Sequence, residues 1–164
     1  MLFLYVLFTS WLWTAPVAAS LSTPSVKVSA PAAAVQWLTL EQALAKSKTK
    51  PKKILIDVYT DWCGWCKKMD KQVYQDPAVA AKLNKEFYVV KLNAEQRQPV
   101  TINGRTYKYL EKYKAHELAL SLLNGQMSYP STVFLNEKQQ VMQRVPGFYA
   151  AKDFMQLLTH ISIN

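Results

Sequence analysis

Cys63 and Cys66 are the only cysteines in the chain, and they stand three residues apart in Trp62-Cys63-Gly64-Trp65-Cys66-Lys67-Lys68. A pair at that spacing has three possible chemistries: half a zinc site, a small inert disulfide, or thiol–disulfide exchange. Zinc needs two further ligands, and the only two histidines, His116 and His160, lie far apart in helix-like segments. A disulfide closing so short a loop constrains the unfolded chain little. Exchange is the reading the pattern favours. The attacking species is a thiolate, and a helix start beside Cys63 presents unpaired N–H groups and the positive end of the helix dipole. Lys67 and Lys68 add positive charge nearby. These effects lower a thiol below its usual pKa of about 8.5. Cys63 is then the nucleophile, and Cys66, one turn in, is the resolving thiol that closes the Cys63–Cys66 redox disulfide.

That chemistry needs a strand ending just before Cys63 and a helix starting at it, and the flanking sequence supplies both. Ile54-Leu55-Ile56-Asp57-Val58-Tyr59 is a nearly unbroken apolar run, the pattern of a strand buried on both faces, with Asp57 as its anomaly. Cys66, Met69 and Val73 then recur with helical spacing. Asp76-Pro77 reads as an N-cap followed by Pro at the first helical position, with Val79 and Leu83 on the apolar side of a short helix. Phe87 to Leu92 is a second buried strand, so the order is β-α-β and the pair is parallel. Upstream, Thr39 and Gln42 have capping-box spacing for a helix to about Lys46. Downstream, Asn103-Gly104 between β-prone residues predicts a hairpin. A helix is expected from there to about Asn124, with Gly125 following it. Thr132–Leu135 and Gln140–Val145 read as an antiparallel strand pair broken by Pro146-Gly147. Phe154, Leu157, Leu158 and Ile161 mark a final amphipathic helix.

Composition bounds the rest. The chain has 164 residues, half of them hydrophobic, which suits one domain with a real core and excludes global disorder. The net charge is +9, but it rests on seventeen lysines and three arginines, five of the lysines lying between Lys46 and Lys53. Phosphate recognition leans on Arg and interleaved aromatics, so a solvated Lys-rich surface is favoured over nucleic-acid binding. Met1 to Trp13 is uncharged and strongly apolar, and Val17-Ala18-Ala19 offers small or short residues for cleavage. Residues 1–19 are therefore expected to be a secretory signal peptide touching the membrane only transiently, with an uncleaved membrane anchor as the alternative. Residues 20–34, rich in Ser, Pro and Ala, read as a linker, and 35–164 as the folded domain.

Residues 54–92 and 129–158 together resemble thioredoxin-fold proteins. The Trp-Cys-Gly-Trp-Cys-Lys-Lys form is similar to exported thioredoxin-like thiol–disulfide oxidoreductases, including the reductase domains of the periplasmic thiol–disulfide interchange system. Trp65 stands where thioredoxin itself has Pro. The resemblance implies an α/β thioredoxin fold: a central mixed β-sheet, β-α-β then β-β-α, flanked by helices. Residues 94–126 form a longer insertion of hairpin and helix, where partner choice is expected to reside. It also implies that Asp57 is a buried acid that moves the Cys66 proton, and that Lys91 approaches it. Pro130 would be a cis-proline opposite the cysteines, turning the backbone of Tyr129 toward an extended substrate. Trp62, Gly64, Trp65, Tyr129, Pro130 and Gly147 would border the substrate. The expected activity is reduction or exchange of disulfides in exported proteins by a periplasmic monomer without cofactor, metal or nucleic acid. A membrane-bound thiol carrier would donate the electrons. Strongly oxidising members of this fold carry a His between the cysteines, and Gly64-Trp65 lacks one, which tilts the reading to a reductase. A disulfide oxidant or isomerase remains an alternative, as does a module that binds clients through its aromatic groove.

Overall fold

A computed structural model describes residues 34–163. The leader expected over 1–19 and nearly all of the 20–34 linker lie outside the described residues. The elements run β1 (Trp37–Leu38), α1 (Leu40–Thr49), β2 (Lys53–Tyr59), α2 (Gly64–Gln72), α3 (Pro77–Glu86) and β3 (Phe87–Asn93). After them come β4 (Val100–Ile102), β5 (Arg105–Tyr107), β6 (Tyr109–Leu110), β7 (Ala115–His116) and α4 (Glu117–Leu122). The chain ends with β8 (Ser131–Leu135), β9 (Val141–Pro146) and α5 (Ala151–Ile163). Five strands form one mixed sheet in the order β1-β3-β2-β8-β9. β1, β3 and β2 are parallel, and β8 and β9 join antiparallel. This is the thioredoxin fold, with β2-α2-α3-β3 as its first half and β8-β9-α5 as its second.

The sheet separates two cores, and strand alternation decides which side chain enters which. From β2, Ile54, Ile56 and Val58 pack with Leu40, Ala43 and Leu44 of α1 and with Leu118, Ala119 and Leu122 of α4. Leu55 faces the other way, onto Met69 and Val73 of the α2 segment, Val79 and Leu83 of α3, and Phe154 and Leu158 of α5. Asp57 has the parity of Leu55, which points it toward α2.

Local signals explain the helix starts. Thr39 and Gln42 form a reciprocal capping box at α1. Asp76 accepts from the N–H groups of Ala78 and Val79 at α3, whose first residue is Pro77. Part of the lysine run has specific work at the helix ends. Lys52 Nζ donates to the carbonyl of Asn84 near the end of α3, and Lys53 Nζ donates at 2.8 Å to the carbonyl of Ile161 in α5. Those two lysines depart from the freely solvated surface the composition favoured.

The insertion departs from its expected form. Asn103 and Gly104, both with positive φ, make the β4–β5 hairpin. The long helix expected up to Asn124 is instead a second ribbon, β6–β7, a 3₁₀ turn at Glu111–Tyr113, and the six-residue α4. Lys114 takes a left-handed conformation at φ 47°, which ends the 3₁₀ turn and lets the chain double back. His116 is the N-cap of α4 rather than a residue within a helix, its Nδ1 accepting from the Leu118 N–H. The other unanticipated element is β1, a two-residue edge strand too short to show any periodicity. No described helix is long and apolar enough to cross a membrane.

Candidate active site

β2 ends at Tyr59, and four residues later Cys63 caps α2. The Cys63 Sγ accepts the Cys66 N–H at 3.1 Å, so the sulfur occupies the position where a helix start holds an anion. Cys63 and Cys66 form a disulfide, and both are nearly buried, at 5% and 3% exposure. In the dithiol form that same N–H, with the helix dipole behind it, favours a Cys63 thiolate.

Beneath α2 lies a charge cluster built by strand register. Asp57 of β2 is paired with Lys91 of β3 on one side and Thr132 of β8 on the other. Asp57 is only 2% exposed, and its Oδ1 has no hydrogen-bond partner. Lys91 Nζ lies 3.6 Å from Asp57 Oδ2 but makes its closer ion pair with Asp70 of α2. Asp57 is therefore compensated incompletely. Burial pushes its pKa up to about 6, the Lys91 ammonium pulls it down, and the Asp70 carboxylate pushes it up again. Tyr74 closes this space, its own hydroxyl driven well above the usual range by burial and by Asp57. Lys91 is further enclosed by the rings of Trp37, Tyr59 and Tyr74, with centroids 4.9, 5.0 and 5.9 Å from its ammonium. A carboxyl held at that value takes up and returns a proton near neutral pH, the requirement for activating a buried thiol.

Aromatic side chains surround the motif in two pairs. Trp62 meets Tyr129 edge to face at 5.9 Å, and Trp65 meets Phe148 at 5.4 Å. Trp62 and Trp65 remain 66% and 57% exposed. The Trp62 Nε1–H donates to Glu95 at 3.0 Å, and burial together with the Glu95 charge pushes the Tyr129 phenol up to about 12. Trp62, Glu95 and Tyr129 line a groove of roughly 340 Å³ whose other wall is Tyr113, Lys114 and Ala115 of the insertion. The Tyr129–Pro130 bond is cis, and the Gly147 N–H donates to the Pro130 carbonyl at 2.8 Å. Gly147 sits at φ 93°, a conformation that L side chains rarely adopt. A β-carbon would meet nothing within 4 Å at either Gly64 or Gly147, and of the two only Gly147 has a positive φ.

The structure thus gathers Cys63, Cys66, Trp62, Gly64 and Trp65 at the α2 start, joins Tyr129 to Trp62, and ties Gly147 to Pro130. Asp57 and Lys91 lie in the cluster beneath α2. Asp70, Tyr74, Glu95 and Phe148 belong to the same constellation and escaped the sequence reading. Asp70 had a usable signal, one turn beyond Cys66 on the same helix. The others required the packed fold. Among the described residues no group of three or more His, Cys, Asp or Glu side chains could hold a metal ion.

Residues 40–162 match the model of a family described as a thioredoxin-like domain. The chain belongs to that family. This thioredoxin-like domain is 33% identical over 125 residues to the thiol:disulfide interchange protein DsbD of Pectobacterium atrosepticum, a match covering 75% of this chain and 18% of that protein. It is 28% identical over 125 residues to DsbD of Vibrio vulnificus, again covering 75% of this chain and 18% of the relative. It therefore spans less than a fifth of the length of these curated relatives. Among solved structures it resembles the DsbH oxidoreductase, with a TM-score of 0.59 and 20% identity over 79% of this chain and 85% of that one. It also resembles the reduced C-terminal domain of Neisseria meningitidis DsbD, with a TM-score of 0.51 and 18% identity over 76% of this chain and 98% of that one. Both structural likenesses speak to the fold alone.

Proposed function

We propose that this thioredoxin-like domain is a thiol–disulfide oxidoreductase that reduces or exchanges disulfides of exported proteins. The observation that carries the reading is the Cys63 sulfur at the helix start, accepting the Cys66 N–H, on a helix whose Asp70 shares Lys91 with the buried Asp57. In the dithiol form the Cys63 thiolate attacks one sulfur of a substrate disulfide. A mixed disulfide forms, and the first substrate thiolate leaves and is protonated. Cys66 then gives its proton to the Asp57 carboxylate, which Lys91 holds in place. The Cys66 thiolate attacks Cys63 Sγ, the Cys63–Cys66 disulfide closes, and the second substrate thiolate departs. Two electrons pass from the protein to the substrate. An external dithiol restores the reduced form, and a membrane-bound thiol carrier is the donor we assign outside the cytoplasm. The 1–19 segment supports that compartment.

Tyr129, Pro130 and Gly147 are assigned to an extended substrate segment, with Trp62, Gly64 and Trp65 bordering its cysteine. Insulin reduction by dithiothreitol tests the chemistry. Cys63→Ser abolishes it, whereas Cys66→Ser accumulates mixed disulfides that a gel without reductant displays. Full activity of Cys63→Ser would sink the reading. The exposed tryptophans favour one second reading, a module that holds unfolded clients through aromatic contact. Client binding that survives Cys63→Ser/Cys66→Ser, with no insulin reduction by the native chain, would select it. The reduction potential against glutathione sets direction: a value near that of thioredoxin, about −270 mV, marks a reductant, and one near about −120 mV an oxidant.

A further inference from the structure

Helix α2 buries Cys66 and Met69 and exposes Trp65, Lys67, Lys68 and Lys71. Lys67 and Lys71 are one turn apart, a like-charge spacing that destabilises a helix. Among the described residues no carboxylate lies within ion-pair distance of Lys67, Lys68 or Lys71. None of the described acids at this end of the fold pairs with these lysines, and Asp61 and Glu95, bonded to neutral donors, keep their negative charge on the Trp62 side. Asp57 is buried, Asp70 pairs with Lys91, Asp61 accepts from Asn93 at 3.0 Å, and Glu95 accepts from Trp62 at 3.0 Å. Lys68 lies over the exposed ring of Trp65 and the half-buried ring of Phe148, its ammonium 4.7 Å from the Trp65 centroid and 5.0 Å from that of Phe148. The helix that carries the cysteines therefore presents an unneutralised cationic face continuous with the aromatic rim.

We propose that this face selects disulfide-bearing proteins whose sequence around the reactive cysteine is acidic. The proposal rests on the oxidoreductase reading and adds the substrate class. Lys67 and Lys71 attract the acidic segment before contact, and Lys68 meets it at the Trp65–Phe148 edge. The bond-making steps are unchanged. The lysines act on encounter, which is where charge complementarity has its main effect and where salt screens it.

The test uses the full chain, reduced and freed of reductant, with two synthetic peptides that each hold one internal disulfide. One peptide has Asp and Glu flanking its cysteines, and the other has Lys at the same positions. Stopped-flow fluorescence gives the second-order rate constant for each. The ratio of the two constants cancels any change in thiolate reactivity. At about 0.02 M salt the acidic peptide reacts about tenfold faster, and the ratio approaches one at about 0.5 M. Lys67→Glu/Lys71→Glu inverts the low-salt ratio, and Lys67→Gln/Lys71→Gln, which adds no new charge, brings it toward one. Equal low-salt rates for the two peptides, or a ratio that neither double variant moves, overturn the selection and leave the redox reading standing. Failure to reduce either peptide overturns both.

Discussion

Replacing Asp57 with Asn separates its chemical role from its cost to the fold. Burial pushes the Asp57 pKa up to about 6 from an ordinary value of 3.8. Those roughly two units amount to about 3 kcal/mol. The sign follows from proton binding. The folded protein holds this proton more tightly than the unfolded chain, so its ionisation opposes folding. The penalty is absent below about pH 3.8, grows as the pH rises, and is complete above about pH 6. Asn carries no charge, so the variant escapes the penalty. Urea denaturation of the oxidised protein at about pH 7.5 should give Asp57→Asn a midpoint higher by about 1.5 M, from an m-value of about 2 kcal/mol/M. At about pH 4 most of that advantage should vanish. A packing cost of the amide would lower both midpoints alike, and the pH-dependent difference would survive it. Insulin reduction by the same variant should slow by about a hundredfold, because Cys66 loses its internal proton acceptor. A stability difference that does not change with pH would refute the reasoning, since Asp57 would then ionise as readily in the fold as in the unfolded chain. Unchanged reduction would remove it from proton transfer.

Three further predictions follow from local geometry. Thr39→Ala loses the capping box of α1 and should cost about 1 kcal/mol in denaturant stability while leaving the reduction potential unchanged. Gly147→Ala forces an L side chain to φ 93° and should destabilise by about 1 kcal/mol or more, read by thermal melting. His116 is buried and its pKa is lowered, chiefly by that burial, and its Nδ1 must stay unprotonated to accept from Leu118. Its contribution is present above the ordinary value of 6.5 and falls away as the pH drops below it. The protection of the Leu118 amide, the ratio of its intrinsic to its observed exchange rate, should therefore fall on acidification, and His116→Gln should flatten that response.

The cysteine pair and its framework were legible because they are local. Cys63 and Cys66 announce themselves by spacing, β2 and β3 by continuous apolar runs, and α1 and α3 by capping residues within one turn of their starts. The insertion was misjudged over 110–116 because its two-residue strands carry no period. Lys114 turns the chain with a left-handed conformation that no glycine advertised. The electrostatics around Asp57 belong to the tertiary structure alone. An Asp in an apolar strand states only that burial will be costly. Three-strand register sets Lys91 and Thr132 beside it, and α2 brings in Asp70, so the burial that pushes it up to about 6, and the charges that temper that burial, exist only after packing. The aromatic rim has the same origin. Trp62 and Trp65 lie three residues apart in sequence, yet their partners Tyr129 and Phe148 come from beyond the insertion, where chain spacing has no bearing on contact.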